Sequence, residues 1–332
     1  MKAEAIVFTA VNEVAYRTVD VPEPGPEDVV VDVEYSWISI GTELSFLRGE
    51  RISGEQVTRP GDKLPFPQVP GYQKVGVVKE VGRKVKRFKP GDCVFASISQ
   101  VSGMAFPTGG HVNPSVTHES QVWKLPDEGV TEPLAYAPLV QAQVGYNCGT
   151  RPHISPGDRA VVIGDGLIGH WSAQTLFARG AQVTVLGRHE RRLAMLAPGI
   201  AGIHLRRTPI HEAASMLDDI QVVVDTVGSL ADFNVLRPRM RWNSHLVSAG
   251  FLGAEGHIDI QQLRAQEITL HCPSGWVRDR MDATLEAVRD GRLSTLPLIT
   301  HLIPAADAEQ AWRMIREKQE FFLGVVLDWR RK

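Results

Sequence analysis

VVIGDGLIGHWSAQTLFARGAQVTVLGRHERR, running from Val161 to Arg192, is the stretch whose reading decides the fold. A short apolar run ends in Gly164-Asp165-Gly166-Leu167-Ile168-Gly169, a helix-compatible segment follows, and Gln182–Leu186 is a second β-branched run. Strand, glycine turn, helix and strand in that order make a dinucleotide-binding unit. Gly164 permits the tight turn, Gly166 lets backbone approach a pyrophosphate, and Gly169 lets helix and strand pack closely. The N–H groups at the helix start, Leu167 and Ile168 among them, are left to hold phosphates. A glycine motif alone is a weak signal; the strand before it and the strand and turn after it make it specific.

The second strand bears on which dinucleotide binds. An NAD site usually carries Asp or Glu at that strand's end, where it accepts from the ribose 2′-OH. Here the strand runs out into Gly187-Arg188-His189-Glu190-Arg191-Arg192. Gly187 leaves room, Arg188 offers a planar fork suited to phosphate, and Arg191 and Arg192 add charge. This pattern favours NADPH. Two alternatives stay open: the arginines form a solvated helix face, or Glu190 turns inward to a ribose.

With 332 residues, the chain is long enough for two domains and a sizeable core. A formal charge of −2 leaves no basic footprint for nucleic acid. No apolar run approaches the roughly 20 residues that span a bilayer, and Met1-Lys2-Ala3-Glu4-Ala5 is unlike a signal peptide, so a cytoplasmic protein without membrane partners is expected. Cys93, Cys148 and Cys272 lie far apart with no CxxC pair, which argues against a zinc knuckle or disulfide framework.

The first part of the chain is β-rich. Ala3–Thr9, Val14–Val19, Asp28–Trp37, Val75–Val81, Cys93–Ser97 and Val116–Leu125 read as strands, separated by Pro and Gly. Helix and strand then alternate. Helices are expected over Thr131–Gly149, Leu167–Arg179, His189–Ala197, Met281–Asp290 and Ala306–Lys318. Strands are expected over Arg159–Ile163, Gln182–Leu186, Val222–Asp225, His245–Ala249, Glu267–Cys272 and Phe322–Asp328. Alternation of this kind implies a parallel sheet with helices on both faces.

Pro24-Gly25-Pro26, Pro70-Gly71-Tyr72-Gln73-Lys74-Val75-Gly76, Lys89-Pro90-Gly91-Asp92-Cys93-Val94, the nucleotide motif and the ending Gly324-Val325-Val326-Leu327-Asp328 stand in a specific order. In that order the chain resembles the medium-chain dehydrogenase/reductase superfamily, which includes the zinc alcohol dehydrogenases, over nearly its whole length. The resemblance implies an α/β fold: a doubly wound Rossmann sheet, residues 144–275, plus a GroES-like partly open β-barrel catalytic domain, residues 1–143 and 276–332. Zinc members carry Cys, His and Cys at the positions matching Ile40, Tyr72 and Val140, and none of these three is a zinc ligand here. The four-cysteine structural lobe is also missing. No zinc is therefore expected; His111, His118 and Glu43 are the ligand-type side chains left that could converge on a metal. Ser39-Ile40-Gly41-Thr42-Glu43 resembles a zinc-free subgroup with Gly-Thr-Glu at this point, which includes bacteriochlorophyllide dehydrogenases and some antibiotic-pathway enzymes of secondary metabolism.

Without a metal, hydrogen-bond donors must stabilise the carbonyl oxygen during hydride transfer. Thr42 matches the family's relay hydroxyl, Tyr72 occupies a lost ligand position, and Ser39 supports them. The bland readings are that Tyr72 fills the space of metal and ligand, and that Thr42 bonds local backbone. Glu43 is expected either to hold substrate or to act structurally, pairing with an Arg or capping the following helix. On family grounds Trp37, Gln73, Gln141, Gln143 and Trp276 line the substrate site, and amides so placed suit a polar substrate, unless they bond backbone or cofactor. Thr226 and Val227, beside Asp225, with Ala249, Gly250 and Phe251, are implied cofactor contacts; Phe322 and Leu323 are implied to close the site. Among the histidines His111 ranks first as an acid–base candidate.

The expectation is a zinc-independent, NADPH-dependent enzyme interconverting a ketone and a secondary alcohol, reducing a sugar-, cyclitol- or aminoglycoside-like substrate. The alternatives are a quinone or enone reductase and a non-catalytic NADPH-binding protein. Glu267–Cys272 resembles the strand that pairs between subunits in family dimers, so a homodimer is expected.

Overall fold

Asp28–Trp37 is a ten-residue strand with nearly every side chain buried, as a strand covered on both faces must be. In the computed structural model, which describes residues 1–54, 56–252, 256–318 and 320–331, it lies inside a sheet. The order of that sheet is Val122–Lys124, Cys93–Ala96, Lys74–Val81, Asp28–Trp37, Gly324–Asp328 and Ile299–Pro304, and Ser115–His118 also pairs with Asp28–Trp37. Lys2–Ala10 forms a second, three-stranded sheet with Glu13–Asp20 and Val112–Asn113. The return to Gly324–Asp328 runs through the helix Ala308–Glu317, whose buried Ala308, Ala311, Trp312 and Ile315 fall at helical spacing on one face. Trp312 meets Phe8 edge-on at 5.5 Å, which joins that helix to Lys2–Ala10. These elements make one unit, Met1–Val140 with Ile299–Lys332.

The second unit, Gln141–Leu298, holds a six-stranded parallel sheet. Its order is Ala201–His204, Gln182–Gly187, Arg159–Ile163, Ile220–Asp225, Met240–Ser248 and Thr269–His271. In order of appearance this is 3-2-1-4-5-6, the doubly wound arrangement whose strand order reverses beside the first strand. Relative to the expected boundaries, residues 276–298 go with this unit. Ser294 accounts for it: its carbonyl accepts from Trp171 and Gln174, and its N–H donates to Gln174, all three bonds tying it to the helix Leu167–Ala178.

Three expected elements are corrected. Val116–Leu125 is two strands divided by a 3-10 turn at Glu119–Gln121, where the His118 ring accepts from the Ser120 N–H. The helix expected from Thr131 begins at Leu139, after a short 3-10 turn at Pro133–Tyr136; Pro138 has no N–H with which to continue a helical ladder back to Leu134. The helix expected over His189–Ala197 is one turn, Glu190–Leu193, because the chain must come back to place Ala201–His204 beside Gln182–Gly187. The reading also missed the helix Ile40–Leu47 and the strand Ile299–Pro304. No helix among the described residues is long and apolar enough to cross a membrane.

Lys74 is a departure from the apolar core. It is fully buried, its Nζ donates to the Ser97 carbonyl at 3.1 Å, and desolvation pushes the amine down to about 7. Unfolding lets Lys74 take up a proton at any pH between its ordinary 10.5 and about 7, so the buried amine lowers stability progressively as pH falls through that window. Lys74→Met is therefore expected to raise stability at neutral pH by on the order of 1–3 kcal/mol in urea melts, a gain that shrinks towards pH ~10. A variant less stable than its parent at neutral pH would contradict desolvation as the controlling effect.

Candidate functional site

The second unit carries a glycine cradle at its topological switch point. Gly164 ends the first strand at φ +114, where a Cβ would sit 2.3 Å from the Thr226 hydroxyl. That hydroxyl donates back to the Ile163 carbonyl at 2.8 Å. A Cβ on Gly169 would lie 2.0 Å from the Gly164 carbonyl, so helix and turn close only without one. Gly166 differs: the space where its Cβ would point is empty, and it caps Leu167–Ala178 without a side-chain hydrogen bond, leaving the first N–H groups for a ligand. Across the switch point the buried Asp225 accepts from the N–H groups of Val227 and Gly228, both at 2.9 Å, and burial raises its carboxyl above the ordinary range. Val227 and Phe251 expose their side chains; Ala249 and Gly250 follow the fifth strand, each N–H donating to the Asp225 carbonyl.

The end of the Gln182–Gly187 strand holds a group that the sequence reading missed. Asp165, the residue between the first two motif glycines, turns its carboxylate against Gly187, where a Cβ would meet it at 2.5 Å. That carboxylate accepts from the His189 N–H at 2.7 Å and lies 3.0 Å from His189 Nδ1 and 3.7 Å from Arg192. The bare strand end and the acid in the glycine loop are therefore one feature. Arg188 is 59% exposed and reaches Asp232 only at 3.8 Å, so its guanidinium faces solvent. Glu190 instead pairs with Arg207 at 2.7 Å, both exposed. Arg191 lies in the same turn of helix, its side chain exposed. His170, next to Gly169, is buried, and desolvation pushes it down to about 4, so it stays neutral at physiological pH.

The first unit brings Ser39, Thr42 and Tyr72 together. Ser39 precedes the helix Ile40–Leu47, and the Tyr72 hydroxyl donates to Ser39 Oγ at 2.5 Å. Desolvation pushes the Tyr72 phenol up to about 12; the Ser39 and Thr42 hydroxyls pull it back, while the Glu43 charge raises it further. A phenol so placed keeps its proton at neutral pH and acts as a donor.

Glu43 faces inward. It is 2% exposed, one oxygen accepting from the Ser39 N–H at 2.7 Å and the other lying 2.9 Å from His111 Nε2. Its partner is thus a histidine and the start of its own helix, neither an arginine nor solvent. His118 lies apart from both, at the surface beside Glu27 and Ser120, and among the described residues no three His, Cys, Asp or Glu side chains converge.

Trp37 is a fully buried core residue of its strand, and Gln73 is buried, its carbonyl accepting from the Trp37 N–H. Gln143, with its amide turned to satisfy both neighbours, donates to the Gly275 carbonyl and accepts from the Val144 N–H, so it serves backbone. Gln141 and Trp276 are partly exposed. Phe322 and Leu323 are buried in the first unit, where the Leu323 N–H donates to Thr300.

Residues 25–127 match the family Alcohol dehydrogenase GroES-like domain, and residues 153–237 match the family Shikimate / quinate 5-dehydrogenase. A 2-desacetyl-2-hydroxyethyl bacteriochlorophyllide A dehydrogenase from Cereibacter sphaeroides is 27% identical, with 99% of each chain covered. The solved structure of 2R,3R-butanediol dehydrogenase from Bacillus subtilis is similar at a TM-score of 0.83 and 21% identity, covering 98% of this chain and 99% of that one. A structure described as a "putative zinc-binding dehydrogenase" from Sinorhizobium meliloti 1021 bound to NADP is similar at a TM-score of 0.82 and 18% identity, with 99% of each chain covered. At these identities the two structures speak to fold alone.

The cradle makes a prediction that separates binding from stability. Gly166→Ala is expected to leave the unfolding free energy within about 0.5 kcal/mol, while nucleotide Kd, read by nicotinamide fluorescence, rises at least about tenfold as the methyl enters the phosphate space. Unchanged affinity would contradict the assignment of that space.

Proposed function

The chain belongs to the medium-chain dehydrogenase/reductase superfamily, and from that premise we propose that it is a zinc-independent, NADPH-dependent oxidoreductase that reduces a polar ketone to a secondary alcohol. The observation that carries this reading is the hydroxyl cluster of Ser39, Thr42 and Tyr72. On the family pattern the side chains matching the zinc ligands are Ile40, Tyr72 and Val140, which offer hydrocarbon and one phenol. Such a donor set does not fit zinc, which takes thiolate, imidazole or carboxylate.

Two features of the second unit support the NADPH reading: the open space at Gly166, suited to a pyrophosphate, and the exposed Arg188 fork, suited to a 2′-phosphate. The exposed Glu190 pairs with Arg207, which supports the reading that Arg188 and not Glu190 meets the ribose. The bound cofactor supplies the hydride. Tyr72 would donate its proton to the carbonyl oxygen that gains negative charge in such a reduction. Ser39 and Thr42 hold the phenol oxygen and return a proton to it from solvent. The hydroxyl donors of the first unit suit a hydroxyl-bearing substrate of sugar, cyclitol or aminoglycoside type; Gln143, bound to backbone, and the fully buried Gln73 do not contribute to that argument. We further propose a cytoplasmic homodimer that pairs along the edge strand Thr269–His271, seen as a doubled mass in light scattering.

The test is NADPH oxidation against ketosugars, ketocyclitols, quinones and enones. Turnover of polar ketones is expected, with kcat reduced about a hundredfold in Tyr72→Phe and with Arg188→Ala weakening NADPH about tenfold while leaving NADH unchanged. Turnover confined to quinones or enones would overturn the reading, and tight NADPH binding without turnover on any of them would point to a non-catalytic binding protein.

A further inference from the structure

Behind the hydroxyl cluster lies a line of buried polar groups with no part in the proton transfer just described. Trp329 Nε1 lies 2.8 Å from Ser36 Oγ, and Ser36 Oγ lies 2.8 Å from His111 Nδ1. His111 Nε2 lies 2.9 Å from one Glu43 oxygen, and the other accepts from the Ser39 N–H at 2.7 Å. Ser36 and His111 are fully buried and Glu43 is 2% exposed.

The direction of this line follows from what each group can do. An indole N–H only donates, so Ser36 Oγ must accept from Trp329. Ser36 has one hydroxyl proton and is buried, and His111 Nδ1 is the acceptor it faces. Were Nδ1 to carry a proton, that hydroxyl would be left unsatisfied in the core, at the cost of desolvating it without a partner. Nδ1 is thus an acceptor, the ring proton sits on Nε2, and Nε2–H donates to Glu43. The backbone N–H of Ser39 is an obligate donor, so both carboxylate oxygens accept.

The ring itself has no freedom to turn. Gly71, at φ +88, leaves no gap beside it: a Cβ there would lie 2.6 Å from the imidazole. Trp312 meets the ring edge-on at 5.5 Å, and the His111 N–H donates to the Pro70 carbonyl at 2.9 Å. His111 therefore bears on Tyr72 from two sides, through Glu43 and Ser39 and through the backbone of Pro70 and Gly71.

We propose that Trp329, Ser36, His111 and Glu43 form a hydrogen-bond chain of fixed direction, with His111 locked as the Nε2–H tautomer, and that His111 and Glu43 are positioning residues that hold Ser39 and Tyr72 in register. The kinetic consequence rests on Tyr72 being the proton donor; the tautomer does not.

Long-range 1H–15N correlation spectra of the full-length, 15N-histidine-labelled protein test the tautomer without substrate. The His111 signal, identified by its displacement in Ser36→Ala, is expected to show a protonated Nε2 and an unprotonated Nδ1. An Nδ1–H tautomer or an imidazolium would overturn the proposal. In kinetics, Ser36→Ala is expected to lower kcat about tenfold with KM unchanged, and Ser36→Thr, which keeps the hydroxyl, to restore it. A lowered Tm with kcat intact in Ser36→Ala would make the chain a structural feature only and overturn the positioning role. If Tyr72→Phe leaves kcat unchanged while the Nε2–H tautomer is found, the assignment of Tyr72 fails and the hydrogen-bond chain stands.

Discussion

A carboxylate taken out of water must find donors for both of its oxygens, and the arrangement around the first unit's hydroxyl cluster follows from how Glu43 does so. One oxygen takes the N–H of Ser39 just ahead of its own helix; the other takes a histidine 68 positions further along the chain. Neither bond is a surface ion pair. Each is desolvated, so breaking one leaves a buried group unpaired, a far larger loss than the bond is worth at the surface. The same charge raises the affinity of the Tyr72 phenol for its proton, which suits a donor and would not suit a base. Glu43 thus ties His111 to the backbone of Ser39, the residue whose hydroxyl accepts from the Tyr72 phenol.

The second unit solves a different electrostatic problem. A dinucleotide brings phosphates to a helix start, and the glycine cradle clears backbone for them. Asp165 is an acid set beside that cradle. Its charge is taken up by the His189 N–H and by Arg192, and it fills the space beside Gly187 that a strand-end side chain would otherwise claim. Asp165 thus shapes the turn that carries Arg188, whose guanidinium is left to solvent.

Much of this was legible in the residues because its physics is local. Gly164, Gly166 and Gly169 declare a turn, a close approach and a helix start within six positions, and the 3-2-1-4-5-6 sheet follows from strands alternating with helices. Ser39, Thr42 and Tyr72 were legible as a group only through their places in a family pattern, since 33 positions separate Tyr72 from Ser39. What escaped were contacts made by tertiary closure. Asp165 looks like an arbitrary residue between two glycines until the next strand is laid beside it. His111 and Glu43 were named as side chains that could converge on a metal, but their direct contact depends on Gly71 letting backbone close against the ring, which no spacing in the chain announces. The helix expected over His189–Ala197 failed for the same reason: local propensity there is overruled by the need to deliver Ala201–His204 to the sheet edge.

The central claim is that a phenol held by hydroxyls replaces a metal at the carbonyl oxygen. It is tested most directly by measuring bound zinc and kcat on the same chelator-dialysed protein, with NADPH and a polar ketone that it turns over. The account predicts full kcat at a zinc content far below one ion per chain, with no gain when zinc is added back. Activity that falls in proportion to zinc removed, and returns with it, would contradict the account.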